Sequence, residues 1–486
     1  MGQDFPLYWF IAAFAAYTAL LFYISHLTNR NAGRNSFFSG DRKAPWPLVA
    51  YGMVGSSISG VTFISVPGNV WVQNFFYMPL VFGFVVGYII IAKVLLPLYY
   101  RMNLTSIYSY LGERFGQKSY RTGTTVFMVS RILGAAVRIF VVIVVFYSFM
   151  PRHLQAGGVW TFALIALVFL VLLYLYTYRG GVRTIIWTDA LQTTFMLLAV
   201  GCTIFYICRD MDWGFGDMCR NVAASSYVSM IDLDWSHATN SVKQFISGIF
   251  VTIAMTGLDQ SMMQKNLACK DIKAAQKNMY TTSAIIVAVN FFFLLLGALL
   301  CVYASSHGGF EAMGIDKTDE MFPTIASRYF GVGLGVIFLI GLISASYPSA
   351  GAALTSLTTS VCVDFLHTGD EKTRKRVHAL MAAVFFVILM VLFLVSSDAV
   401  VNLVYKLASY TYGPLLGMFF FGIFTGRRVR DGASPYIAVL SPVICLVLNI
   451  LLKKFAGFDM GFSLLIVNGL LIFAGLWAFS RKEEKV

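Results

Sequence analysis

The stretch GSSISGVTFISVPG, residues 55–68, interrupts a run that is otherwise apolar from Trp46 to Val72. Ser56, Ser57, Ser59, Thr62 and Ser65 supply five hydroxyls, with Gly55, Gly60 and Gly68 between them and Pro67 one turn on. Small residues on a helix can serve close packing alone. Glycine, serine and β-branched residues mixed over three turns fit better a helix that unwinds partway across a bilayer. Unwound backbone at that depth is tolerated only where it lines a cavity, because lipid offers no hydrogen-bond partner. The stretch therefore predicts a discontinuous helix near Gly55–Gly60 and a polar cavity beside it.

The rest of the chain supports the membrane setting. Of 486 residues, 58% are hydrophobic, 16% aromatic and 12% charged, and the mean hydropathy is +0.74. Soluble domains carry about 25% charged residues. Apolar runs near 20 residues, each long enough to cross a bilayer as a helix, recur 13 times. They fall at 6–26, 45–75, 78–98, 122–150, 158–177, 185–208, 243–263, 279–304, 333–364, 378–396, 399–425, 434–452 and 460–480. An all-α polytopic membrane protein with 13 transmembrane helices is the expectation, with no soluble domain in the remainder.

The net charge of +13 reads as topology and not as a nucleic-acid footprint. Most Lys and Arg fall in alternate loops, in clusters such as Arg30 to Lys43, Arg114 to Arg121, Lys265 to Lys277 and Lys372 to Arg376. The positive-inside rule puts those loops in the cytoplasm, the amino terminus outside and the carboxyl terminus inside. Only Asp4 is charged ahead of the first apolar run, so that run reads as a span and not a cleavable leader. Seven cysteines show no metal-ligand spacing; Cys208 and Cys219 are near enough in sequence to pair or to stay free. Walker, HExxH and GxSxG patterns are absent.

Two further polar constellations interrupt the spans. ISASYPSAG, residues 343–351, places Pro348 inside an apolar run with Ser344, Ser346 and Ser349 around it. Proline lacks an N–H and pushes away the carbonyl four residues back, here that of Ser344. Hydroxyl and carbonyl oxygens so arranged suit a hard monovalent cation, although serine and threonine also bond back to their own helix. The second constellation contains Asp189, about a turn inside the membrane boundary. An intramembrane carboxylate is a functional candidate by default; pairing with Arg179 or Arg183, or reaching the interface, is the structural alternative. Arg131 and Arg138, seven apart, share a helix face and are suited to an anionic solute, as well as to structural pairing. Lys406 is a further embedded charge whose long stem also reaches the interface.

GSSISGVTFISVPG, GGVRTIIWTDALQ, TGLDQSMMQKNLACKD and SYTYGPLLGMFFFGIF, in this order on these spans, resemble the sodium/solute symporter family, in its bacterial branch. The resemblance covers residues 40 to 430 and implies the leucine-transporter fold: a 5+5 inverted repeat with one extra N-terminal and two extra C-terminal helices. Residues 1–44 would hold the first helix and a cytoplasmic loop, 45–208 the first repeat, 243–425 the second, and 434–480 the last two helices, all in one transporter domain. The first helix of each repeat would be broken at the midplane, the second break falling between Ser247 and Gly257.

The resemblance implies a main sodium site made by carbonyls of Gly55, Ile58 and Ala345 and by side chains at positions 348 and 349. The chain has Pro348 and Ser349 there, so one of two expected hydroxyls is missing. A second ion site, present in some members, would use Asp189 with further serines; those positions read Pro348, Gly351 and Ala352. Ser57, Ser59 and Thr62, with Arg131, Arg138, Tyr410 and Tyr412, are the candidate solute contacts. The implied activity is sodium-coupled symport of a small polar solute such as a sugar, a sialic acid or another organic acid, in the bacterial inner membrane. A proton-coupled or sodium-independent carrier with a decayed ion site, with Asp189 as proton acceptor, and a non-transporting sensor are the alternatives. An enzyme is not expected, nor an obligate protein partner beyond the lipid bilayer.

Overall fold

The computed structural model describes residues 7–29, 36–178, 181–395, 398–458 and 460–482, with the side chains of 398–409 outside the description. The long helices are α1 (Leu7–Asn29), α2 (Trp46–Ser57), α3 (Gly60–Gln73), α4 (Met78–Arg101), α5 (Gln117–Ser148), α6 (Val159–Thr177) and α7 (Gly181–Asp210). They continue with α8 (Ser241–Gly257), the short α9 (Gln260–Asn266), α10 (Ile272–Ser306), α11 (Val332–Phe365) and α12 (Glu371–Val395). The last are α13 (Asp398–Phe424), α14 (Ser434–Ala456) and α15 (Leu464–Ala478).

Among the described residues ten helices are long and apolar enough to cross a membrane, and the bent pairs α2/α3 and α8/α9 bring the number to twelve. A short antiparallel pairing of Arg427–Val429 with Ser480–Lys482 closes the end of α13 against the end of α15.

The first break lies where the sequence placed it. Ile58 and Ser59 leave helical geometry with ψ of 107° and 169°, and the axis bends by 61°. Ser59 is the N-cap of α3: its hydroxyl faces the Thr62 N–H at 3.5 Å, a long contact. Serine competes for backbone groups and so favours caps over helix interiors. Gly60 is required by its neighbours, since a Cβ there would sit 2.5 Å from both Ser346 Oγ and Val142 Cγ2. Gly52 and Gly55 bring α2 onto α7, where a Cβ at 55 would meet Thr193 Oγ1 at 2.4 Å.

The second break differs from expectation. Ser247 to Gly257 stay helical, their last turn widening over Ile253–Gly257, and the chain turns by 72° at Leu258 and Asp259. The reason is a cap. Asp259 Oδ1 accepts from the backbone N–H of Ser261 at 2.8 Å and of Met262 at 3.2 Å, satisfying donors that open α9. Gly248 instead serves packing: it and Gly83 let the backbones of α8 and α4 touch, with a Cβ at either lying 2.1 Å from a facing carbonyl.

α11 passes through Pro348 without a break. Ser346, Thr358 and Thr359 bond back to the carbonyls of Leu342, Leu354 and Thr355 at 2.5, 2.7 and 2.9 Å. Several hydroxyls of this serine-rich helix are therefore spent on its own backbone.

Candidate functional site

The two breaks are linked: Lys265 of α9, after the second, reaches Ser56 at the end of α2, before the first. At each, the last carbonyls of one half-helix lose their helical partners four residues on, Gly55 and Ile58 falling in that stretch at the first break. Ile58 is buried, its own N–H held by the Val54 carbonyl at 2.9 Å. α11 crosses here: Ser346 touches the space of Gly60, and Ala345, Pro348 and Ser349 are buried within a turn of it. The Ser349 hydroxyl makes no hydrogen bond among the described residues. Its carbonyl receives the Arg131 guanidinium at 3.5 Å. The Ser344 hydroxyl is engaged elsewhere, donating to Tyr17 of α1 at 2.8 Å.

The candidate solute contacts divide. Ser57, Ser59 and Thr62 lie at the first break, and the Ser57 hydroxyl is shielded beside Tyr88 without a hydrogen bond of ordinary geometry among the described residues. Arg131 is engaged within the protein: it pairs with Asp259 at 3.6 Å, both groups buried. Tyr412 joins this pair by donating to the same Asp259 oxygen at 2.9 Å. Arg138, two turns along α5, is half-buried, within electrostatic reach of Tyr412, and has no hydrogen bond or ion pair among the described residues. Tyr410 is placed differently from the expectation. It packs with Cys445 and Leu464 of the last two helices, and its carbonyl accepts from Asn468 at 2.5 Å.

Asp189 is fully buried and has Lys265 as its counter-ion; Arg179 lies outside the described residues. Lys265 Nζ lies 2.5 Å from Asp189 Oδ2. The same ammonium donates to Ser56 Oγ, which in turn donates to Asp189 Oδ2 at 2.7 Å. Lys265 had read as a cytoplasmic loop charge; it stands 2% exposed on α9. Asp259 and Lys265 both sit in TGLDQSMMQK, and the signal for them was available: two charges six apart in an apolar segment have to find partners. All seven cysteines, Cys208 and Cys219 included, are free thiols.

This arrangement, two broken helices crossed by a serine-rich third, can be compared with known proteins. The model of the sodium:solute symporter family matches residues 37–435. The chain belongs to the sodium:solute symporter family. Similar members include the sodium/sialic acid symporter SiaT of Proteus mirabilis, 22% identical over 465 residues and covering 91% of this chain and 89% of that one. The symporter NanT of Aliivibrio fischeri is 22% identical over 454 residues, 89% of this chain and 86% of that one. Sodium-coupled monocarboxylate transporter 2 of Mus musculus is 25% identical over 407 residues, covering 80% and 63%.

The fold is that of a Na+-coupled sialic acid symporter solved in a substrate-bound outward-open state, with a TM-score of 0.80 at 18% identity over 97% of this chain and 99% of that one. It is shared at a TM-score of 0.55 and 14% identity with Mhp1, a nucleobase-cation-symport-1 family transporter, over 91% and 94%. As a member of the sodium:solute symporter family the chain is a sodium-coupled secondary transporter embedded in a membrane, and not an enzyme. The proton-coupled, sodium-independent and sensor alternatives find no support among these relatives.

Proposed function

We propose that this symporter carries a small polar solute bearing a carboxylate, a sialic acid or a similar organic acid, together with sodium by alternating access. The observation that carries the reading is Arg138: a half-buried cation with no hydrogen bond or ion pair among the described residues, sharing a face of α5 with Arg131, which reaches the second break, and with Val142, which meets Gly60 at the first. An unpaired cation is costly in such a place unless an anion visits it. A guanidinium suits a carboxylate through two parallel hydrogen bonds. Ser57, Ser59, Thr62 and Tyr412 surround the same waist and suit hydroxyls on the solute.

Sodium would lie between the carbonyls of Gly55 and Ile58 at the first break and that of Ala345 on α11, with Ser349 supplying a hydroxyl and position 348, a proline, supplying none. The relatives named for sialic acid and monocarboxylates support an acidic solute. The reading extends to 13 spans, counting α13, in two inverted repeats, α2–α7 and α8–α13, with α1 before them and α14 and α15 after. The amino terminus then lies outside and the carboxyl terminus in the cytoplasm of a bacterial inner membrane.

The test is uptake of labelled N-acetylneuraminate into liposomes containing the purified protein. An inward sodium gradient should drive accumulation that choline does not, and unlabelled carboxylic acids should compete. Uptake indifferent to sodium, or competition by neutral sugars alone, would overturn the reading.

A further inference from the structure

A buried carboxylate beside a broken helix is the natural place for a coupling cation. In this chain Asp189 is such a carboxylate. It lies with no exposure on α7, directly behind α2, where a Cβ at Gly52 would approach its own Cβ to 3.1 Å. Its charge is nonetheless already answered from within the protein. Lys265, on the far side of the second break, places its ammonium 2.5 Å from Oδ2 and bonds Ser56 as well. Lys265, Ser56 and Asp189 are 2%, 2% and 0% exposed. The group as a whole carries no net charge.

We propose that Lys265 acts as a tethered cation that permanently fills the Asp189 site and limits the carrier to one sodium per transport cycle. The inference rests on the sodium-coupled reading above and adds the number of ions to it.

Two further features agree with a filled site. α11, which packs along α7, offers Gly351 and Ala352 with no side-chain oxygen. The space beside Gly351 belongs to Tyr176, whose hydroxyl would lie 2.4 Å from a Cβ there and donates to the Tyr347 carbonyl at 3.3 Å. Tyr176 is also within electrostatic reach of Asp189. The other carboxylate oxygen, Oδ1, and the side chain of Gln192 one turn on make no hydrogen bond of ordinary geometry among the described residues, although Gln192 lies beside the hydroxyls of Tyr17 and Tyr176. A buried water satisfies such groups without adding charge. A sodium ion there would leave an uncompensated positive charge in a site shut off from solvent, which is strongly disfavoured.

The experiment counts sodium bound at equilibrium by the purified full-length protein, using radioactive sodium at constant ionic strength with choline as the replacement ion. No solute is needed. Wild type should bind one sodium per protein, and Lys265→Arg, which keeps the charge, should do the same. Lys265→Met uncovers the carboxylate and should bind two; Lys265→Met combined with Asp189→Asn should return to one. Two sodium ions on wild type would overturn the inference, and so would a single one on a folded Lys265→Met protein. Should Lys265→Met not fold, the wild-type count alone decides between one and two. Wild type binding no sodium would refute the sodium-coupled reading itself, which separates the two failures.

Discussion

Arg131 of α5 and Asp259 of the second break stand 3.6 Å apart, both buried, and Tyr412 of α13 donates to the same carboxylate oxygen. The contact ties three helices at the point where α8 gives way to α9. Asp259→Asn keeps an oxygen for the cap of α9 but strands the Arg131 charge. Breaking a buried pair from one side costs about 3–5 kcal/mol, so this variant should melt well below wild type in detergent. Arg131→Met together with Asp259→Asn should cost less than the two single changes added, because neither charge is then left alone. Strict additivity in a double-mutant cycle would show that the contact carries no coupling.

Gly60→Ala tests the first break. The added methyl would sit 2.5 Å from Ser346 and Val142, so α11 or α5 has to move away. Overpacking of this kind costs about 1–3 kcal/mol, and the displaced backbone belongs to the proposed ion site. Sodium-dependent stabilisation should fall by more than thermal stability does. An alanine variant with wild-type melting and wild-type sodium response would mean that the approach of α11 to the break is unimportant.

These two sites differ in how far the sequence exposes them. The first break is local chemistry: hydroxyls, glycines and a capping serine within fourteen residues, legible without any tertiary contact. The second lies just past the expected Ser247–Gly257, because a capping aspartate, Asp259, sets where α9 begins. Asp189 and Lys265 are 76 residues apart, and loop charges and buried charges look alike in sequence, so Lys265 was assigned to the cytoplasmic face. Tyr410 and Tyr412 illustrate the same limit. Two residues along a helix rotate a side chain to nearly the opposite face, and only packing tells which tyrosine meets the site.

Arg138 and Arg131 should now behave differently when changed. Arg138→Gln removes a cation with no hydrogen bond or ion pair among the described residues, so stability should stay within about 0.5 kcal/mol of wild type. Solute affinity should drop, since truncating a desolvated charged contact costs about 2–5 kcal/mol. Arg131→Gln should instead lower stability. Both quantities come from thermal melts with and without N-acetylneuraminate. Loss of stability in Arg138→Gln with unchanged solute response would remove it from the binding site.

Orientation is tested by single cysteines in a background lacking the native seven. Ser306→Cys at the end of α10 should react with an impermeant reagent from outside. Lys375→Cys near the start of α12 should react only when the membrane is opened. The reverse pattern would invert the assignment of both repeats and the charge argument behind it.

Ser349 and Pro348 decide whether α11 holds the ion. The Ser349 carbonyl is engaged by Arg131, so its hydroxyl, which makes no hydrogen bond among the described residues, is what this residue can offer a cation. Ser349→Ala should therefore weaken sodium-dependent thermal stabilisation while leaving the melt in choline nearly unchanged. Pro348→Ser acts in the other direction through two effects. It returns a hydroxyl beside Ser349, and it returns an N–H to the Ser344 carbonyl, whose helix bond an internal proline removes at a cost of about 3 kcal/mol. Apparent sodium affinity should rise, and the melt in choline should rise with it. The two effects separate in Pro348→Ala, which restores the N–H alone: stability should increase with no gain in sodium response. If Ser349→Ala leaves the sodium response intact while Gly60→Ala abolishes it, the ion is held by the unwound backbone of α2 without help from α11.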